Sequence, residues 1–409
     1  MRRVFIFLSF FIALNCNAQD TIRVLFIGNS FTYVENMPDL FRFIADSAGY
    51  RVKTQMYAPG GVSVGDVSQG TQAHMNNPIV YENIRSDKWD YVVLQDNQGR
   101  FVLDYGQFPS SSLVIEGHKQ IRDSVLKNNP CAKMIWFSGW ALKNGMPPYG
   151  NTGAEMIDRI TANYHFLNDS LHQIIAPIGS AWKELILSNP SIDPWSSDET
   201  HQSLVGSFLT ANVIYATIFR DNPEYSSAKA GLAETTANLL KQIAWQTVKD
   251  SFPNINLQNI TPDLLWQNNQ LIAGNYQQYF WYKDFQWLST ATTNTLNVIQ
   301  NGHYFLIAEN SSGCKLKSIS QHIAITSIND IEFHDNLLIY PNPVSSFLNI
   351  DFLQSCSIFL YNTEGTLIKS LNNTSDKQHR IDMHSLSKGM YLIKIQTDTE
   401  SYIRKFVKE

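Results

Sequence analysis

Five short apolar runs punctuate residues 20 to about 250: "IRVLFI", "VKTQMY", "YVVLQ", "KMIWFS" and "QIIAPI". Runs of this length suit β-strands covered on both faces. Between them, apolar residues fall at helical spacing. Met156, Ile160, Tyr164, Leu167 and Leu171 form one such series, and Leu204, Phe208, Ala211, Tyr215 and Ile218 another. Strand–helix alternation predicts an α/β fold with a doubly wound, parallel, five-stranded sheet. Ligands of such sheets sit beyond the carboxyl ends of the strands.

The pattern changes near residue 252. "SFPNINLQNITPD" is a polar linker, and after it the helical period disappears. "QYFWYKD", "QWLST", "TLNVI", "GHYFLIAEN" and "HIAITS" follow at turn-like spacing and predict a small all-β sandwich over 257–328. A second boundary falls at "NDIEFHDN". Beyond it "LLIYPNPVSSFLNIDF", "SIFLYNTEGTLIKSL" and "KGMYLIKIQTDTESYIRKFVKE" predict another small all-β sandwich, over 335–409, with Thr-Glu-Gly and Lys-Gly as turns.

Composition narrows the possibilities. The chain has 409 residues, 44% apolar and 16% charged, with a net charge of −5. That balance argues against a nucleic-acid partner held by a basic surface. Arg2 and Arg3 precede the apolar run "VFIFLSFFIAL", too short for a membrane anchor, and Ala18 in "NCNAQD" offers a cleavage position. Residues 1–18 therefore read as a signal peptide. Asn15 is a poor neighbour for a lipidated Cys16, so ordinary cleavage is expected. Loss of the two arginines takes the net charge from −5 to −7. Cys131, Cys314 and Cys356 are distant from one another and odd in number, so they read as packing residues rather than a disulfide framework.

Candidate chemistry gathers at the predicted strand ends. Ser30 follows the first strand in "VLFIGNSFTY", where a serine can expose its hydroxyl or simply cap a turn. "SSDETHQSLVGSFL" sets Asp198 three residues before His201, a spacing at which a carboxylate reaches one ring nitrogen of an imidazole base. "APGGVSVGDVSQG" follows the second strand, and Gly61 or Gly65 can offer a backbone N–H to a ligand. "VVLQDNQGR" ends the third strand, with Asn97 or Gln95 as a side-chain amide donor. Trp182 and Trp195 lie near the Asp198–His201 segment, as packing residues or, if exposed, as sugar-stacking surfaces. His74, His118, His165 and His172 lack partners at metal-ligand spacing, so no metal site or cofactor is expected.

The order serine, glycine, amide, Asp-x-x-His resembles the SGNH (GDSL-like) hydrolases over residues 20–252. The resemblance implies Ser30 as nucleophile, His201 as base and Asp198 as its carboxylate. It implies an oxyanion hole from Ser30, Gly61 and Asn97, with Gly65 and Gln95 as alternatives. Two blocks depart from the family: Asn29 stands where an aspartate precedes the serine, and the third block reads Gln95-Asp96-Asn97-Gln98. Residues 257–328 resemble an immunoglobulin-like module of secreted bacterial proteins, on Trp281, "NGHYFLIAEN" and Cys314. The C-terminal stretch resembles the type IX secretion sorting domain, which implies export through the periplasm and outer membrane, and the secretion machinery as a partner. These resemblances imply a secreted or surface serine esterase, with an acylated glycan such as an O-acetylated carbohydrate as substrate. Two other readings stand beside it: a lipase, thioesterase or arylesterase on small acyl esters, and a non-catalytic glycan-binding protein on the same scaffold.

Overall fold

The computed structural model describes residues 21–65, 73–103, 111–325, 337–352, 355–363, 365–374, 376–397 and 401–409. The expected signal peptide and the whole "NDIEFHDN" boundary lie outside these residues. The chain divides into two compact units, the first ending at Ile323 and the second beginning at Ala324.

The first unit is built on a parallel sheet of β1 (Ile22–Ile27), β2 (Val52–Tyr57), β3 (Tyr91–Leu94), β4 (Lys133–Phe137) and β5 (Ile174–Ala176), in the order β2-β1-β3-β4-β5. All five coincide with the apolar runs. Val24, Leu25, Phe26 and Ile27 are fully buried because β1 is central and covered on both faces. β2 is one of the two edge strands, and its Lys53 and Met56 are exposed. The direction of winding reverses between β1 and β3, so the loops after these two strands diverge and leave a crevice at the carboxyl edge.

Around the sheet stand α1 (Ser30–Tyr33), α2 (Met37–Ser47), α3 (Pro78–Arg85), α4 (Gln98–Phe101), α5 (Ser111–Asn128), α6 (Gly153–Leu171), α7 (Ile178–Ser188), α8 (Leu204–Phe219) and α9 (Glu234–Ser251). α2 packs on α8 and α8 on α9, while α3 packs on α5 and α4 on α6. α6 starts where the Thr152 hydroxyl accepts the Glu155 N–H, and it buries the predicted Met156–Ile160–Tyr164–Leu167–Leu171 face. α8 is buried on every side from Gly206 to Phe219. The reason is that α2 and α9 flank it and a β-module meets its C-terminal end.

That module comprises β6 (Leu264–Gln267), β7 (Gln270–Ala273), β8 (Gln278–Lys283), β9 (Gln286–Trp287), β10 (Thr295–Asn297), β11 (Gly302–Glu309), β12 (Lys315–Lys317) and β13 (Gln321–Ile323). Its sheets run β10-β7-β6 and β12-β11-β8-β9, with β13 beside β11. The β6–β7 hairpin turns on Asn268 and Asn269 at φ 50° and 58°, a left-handed pair that asparagine tolerates. Trp281 is fully buried.

The cysteine expectation fails here. Cys131, just before β4, forms a disulfide with Cys314, before β12. The partners lie 183 residues apart, so local spacing carried no trace of the pairing. Polar contacts reinforce the junction. Arg220 donates to the Lys317 carbonyl at 3.0 and 3.2 Å, and the Lys317 ammonium donates to the Phe219 carbonyl at 2.7 Å.

The second unit pairs a sheet of β14 (Leu337–Tyr340), β15 (Phe347–Phe352) and β18 (Gln378–Asp382) with one of β16 (Cys356–Tyr361), β17 (Leu367–Thr374), β19 (Gly389–Gln396) and β20 (Ser401–Lys408). Its core holds Val344, Leu348, Ile350, Ile358, Ile393 and Phe406. The fold is thus the expected α/β doubly wound sheet followed by all-β structure.

Candidate active site

The turn after β1 is held from below. Gly28 has no room for a side chain, since a Cβ there would meet Thr32 Oγ1 at 2.2 Å and Gln95 Oε1 at 2.6 Å. Gln95 Oε1 accepts the Asn29 N–H at 2.7 Å and the Thr32 hydroxyl at 3.0 Å. The Gly28 carbonyl accepts a hydrogen bond from the buried His74 ring at 2.9 Å, which places the ring proton on Nε2. Burial holds His74 down at about 4, so the ring is neutral in the fold. Asn29 caps α1 by accepting the Phe31 N–H, and its own amide donates to the Val62 carbonyl at 3.0 Å. Asn29 thus ties the Ser30 turn to the glycine loop after β2.

Ser30 opens α1, half-buried, with its N–H making no hydrogen bond among the described residues. Its Oγ lies 2.9 Å from His201 Nε2, and His201 Nδ1 lies 2.7 Å from Asp198 Oδ2. A carboxylate only accepts, so Nδ1 carries the proton and Nε2 faces the serine hydroxyl as acceptor. The Asp198 carboxyl is held well below the usual carboxylate range. The His201 ring contributes most, then the N–H groups of His201 and Thr200 and the Ser196 hydroxyl. Asp198 remains ionised and fixes the imidazole in one tautomer.

The loop carrying this pair is a short hairpin. Trp195 bridges Gln202, the Ser196 N–H reaches the His201 carbonyl, and Glu199 takes the left-handed tip at φ 59°. From the facing loop, the Lys143 N–H binds the Glu199 carbonyl and Asn144 binds its carboxylate at 2.5 Å. The buried Gln202 amide donates to the Phe31 and Val34 carbonyls at 3.1 and 3.0 Å, fastening the histidine loop to the serine helix.

Trp182 and Trp195 are 0% and 6% exposed, so neither presents a face for sugar stacking. They belong to a buried aromatic column instead. Phe31 stacks on Trp140, Trp140 stacks on Trp182 at 4.2 Å, and Trp182 meets Trp195 edge-on. Phe31 also meets the His201 ring edge-on at 5.5 Å. The Trp140 indole donates to the Thr200 carbonyl, so the column seats the histidine loop. Trp140 carried no signal in the sequence beyond its place after an apolar run.

The oxyanion alternatives separate by their surroundings. Gly65 is packed against α5, where a Cβ would meet the Leu113 carbonyl at 1.9 Å, so close packing accounts for that glycine. Gly61 stands in the loop after β2 at φ 72°, with its N–H making no hydrogen bond among the described residues. Gln95 is fully buried, and its amide N–H is taken by the Asp96 carbonyl. It therefore supports the turn rather than facing a ligand. Asn97 is partly exposed; its Oδ1 accepts the Gly99 N–H, and its NH2 makes no hydrogen bond among the described residues. Below it, the buried Asp96 carboxylate accepts the Val64 and Asn97 N–H groups at 2.7 Å each. Asp96 thereby joins the loops after β2 and β3.

Residues 338–409 match the model of the secretion system C-terminal sorting domain. That tail marks an exported protein, secreted or held at the cell surface. No helix among the described residues is long and apolar enough to cross a membrane. Among solved structures, the chain is similar to a DUF4886 family protein from Bacteroides uniformis, at 16% identity over 57% of this chain and 96% of that one, TM-score 0.49. It is also similar to the acetyl xylan esterase AlAXEase, at 14% identity over 48% and 100%, TM-score 0.38. A member of the lipolytic G-D-S-L family from Veillonella parvula follows, at 15% identity over 47% and 95%, TM-score 0.32. No curated protein sequence matches the chain.

Proposed function

We propose that the chain is an exported serine esterase, with residues 20–252 carrying the chemistry and an O-acylated, most simply O-acetylated, carbohydrate as substrate. The observation that carries this reading is the Ser30–His201–Asp198 relay at 2.9 and 2.7 Å. It lies at the carboxyl edge of the sheet, with the His201 side chain 31% exposed. His201 Nε2 takes the hydroxyl proton as Ser30 Oγ attacks the ester carbonyl. The N–H groups of Ser30 and Gly61 and the Asn97 amide receive the oxyanion. The imidazolium, stabilised by Asp198, then protonates the leaving alcohol; His201 next takes a proton from water as it attacks the acyl-enzyme and returns it to Ser30 Oγ as the acid leaves. The sorting tail supports an extracellular substrate and engagement of the secretion machinery.

The test has two stages. A fluorophosphonate probe should label the wild type and not Ser30→Ala, and p-nitrophenyl acetate turnover should vanish with the label. An unlabelled wild type would instead favour the non-catalytic glycan binder. Acetylated glycans compared with longer acyl esters then decide the substrate class; a preference for long acyl chains would move the protein to the lipases.

A further inference from the structure

We infer that Asp221, His303 and His322 form a binding site for one divalent transition-metal ion of the zinc class, which clamps the β-module onto the end of α8. The absence of metal-type spacing in the sequence has a simple cause here. Asp221 follows α8, His303 lies on β11 and His322 on β13, so the ligands meet only when the module folds back. β11 and β13 pair antiparallel with His303 directly opposite His322. Their rings stand 4.3 Å apart, centroid to centroid.

The ligand atoms of all three residues fall within 4.8 Å of one another. His303 Nε2 lies 3.1 Å from Asp221 Oδ2, and His322 Nε2 lies 3.7 Å from Asp221 Oδ1. Ligand bonds of roughly 2.0–2.2 Å at tetrahedral angles require neighbouring ligand atoms about 3.3–3.6 Å apart, so each imidazole lies within a few tenths of an ångström of that spacing from one of the two carboxylate oxygens. Two imidazoles and one carboxylate suit zinc and leave a fourth position for water.

A second observation concerns His303 itself. Its side chain is only 8% exposed, yet neither ring nitrogen makes a hydrogen bond among the described residues. Nε2 approaches the Asp221 carboxylate closely but off the line of a hydrogen bond. A buried imidazole left this way is costly; a shared cation beside the carboxylate accounts for the arrangement. The surroundings are built to orient the ligands. Tyr50 and Tyr215 donate to Asp221 Oδ2 at 2.8 and 3.3 Å, and Tyr225 stacks on His322. The neighbouring cations are spoken for: Arg220 donates to the Ile218 and Lys317 carbonyls, and Lys317 to the Phe219 and Ser318 carbonyls and the Ser320 hydroxyl.

The experiment uses the full chain, stripped with chelator and returned to Zn2+ alone. Elemental analysis should find one zinc per chain after dialysis, and the melting temperature should rise on adding zinc. Co2+ in its place should give the visible bands of a four-coordinate site. His322→Gln, at the more exposed ligand, should weaken zinc binding at least tenfold while thermal unfolding stays cooperative. Wild type that retains no zinc and shows no thermal shift overturns the proposal. So does undiminished binding in the His303→Gln/His322→Gln double variant.

Discussion

α8 carries an aspartate–histidine arrangement at each end, and the two differ in what surrounds them. Before its first turn, Asp198 and His201 are 51% and 31% exposed, with a serine hydroxyl on the far ring nitrogen. After its last turn, Asp221 and His303 are 2% and 8% exposed, with a second histidine and no nucleophile. The helix has 16 residues, so the two ends lie about 24 Å apart. Both carboxyl groups are held below the usual range, by different routes. At Asp198 the His201 ring and nearby N–H groups do it. At Asp221 burial alone would push the value up, and His303, His322 and Lys317 override it. In the two proposed readings the same residue types serve a solvent-facing proton relay at one end and a buried fastening at the other. Exposure and the third group decide which.

The sharpest test of the contrast exchanges the aspartates. Asp198→Asn and Ser30→Ala should each lower p-nitrophenyl acetate turnover by about 10⁴-fold or more. Asp221→Asn should leave turnover within about twofold and lower the melting temperature. Equal losses of activity from both aspartates would erase the distinction.

Next in size is the disulfide. Cys131→Ser with Cys314→Ser releases a cross-link between residues 183 apart in sequence and should cost about 5 kcal/mol of stability, read by denaturant unfolding. Activity at moderate temperature should survive, since the bond lies before β4 and β12, away from the rim. At the rim, Asn97→Ala should lower kcat by about 10²–10³ with little change in KM, the effect of removing one donor to the oxyanion in the proposed mechanism. A change confined to KM would remove Asn97 from the oxyanion hole.

The smallest effect joins stability to the site. His74 sits at about 4 in the fold against an ordinary 6.5, so between these values the unfolded chain binds the extra proton. Its contribution is therefore complete above pH 6.5 and declines as pH falls toward 4, by at most about 3 kcal/mol. His74→Gln keeps a donor for the Gly28 carbonyl without the titration. Urea midpoints measured from pH 7 to 4 should fall less steeply in that variant; parallel curves would show that acid loss originates elsewhere.

The apolar runs and helical spacings by themselves determined β1 to β5, α6 and α8, because continuous burial and a 3.6-residue repeat are local properties. They also brought out Ser30, Asp198 and His201, since each lies beside a strand end or a helix start, and Asp198 and His201 are three residues apart. Only the tertiary structure decided the rest. Gln95 looked like an amide donor in the crevice and turned out to hold the turn beneath it. Trp182 and Trp195 looked available to a sugar and lie inside an aromatic column. Cys131 found Cys314, and Asp221 found two histidines, across long stretches of chain. The physical reason is common to all of these: a side chain's role depends on which groups remove it from water, and those groups come from distant segments whose approach no local spacing records.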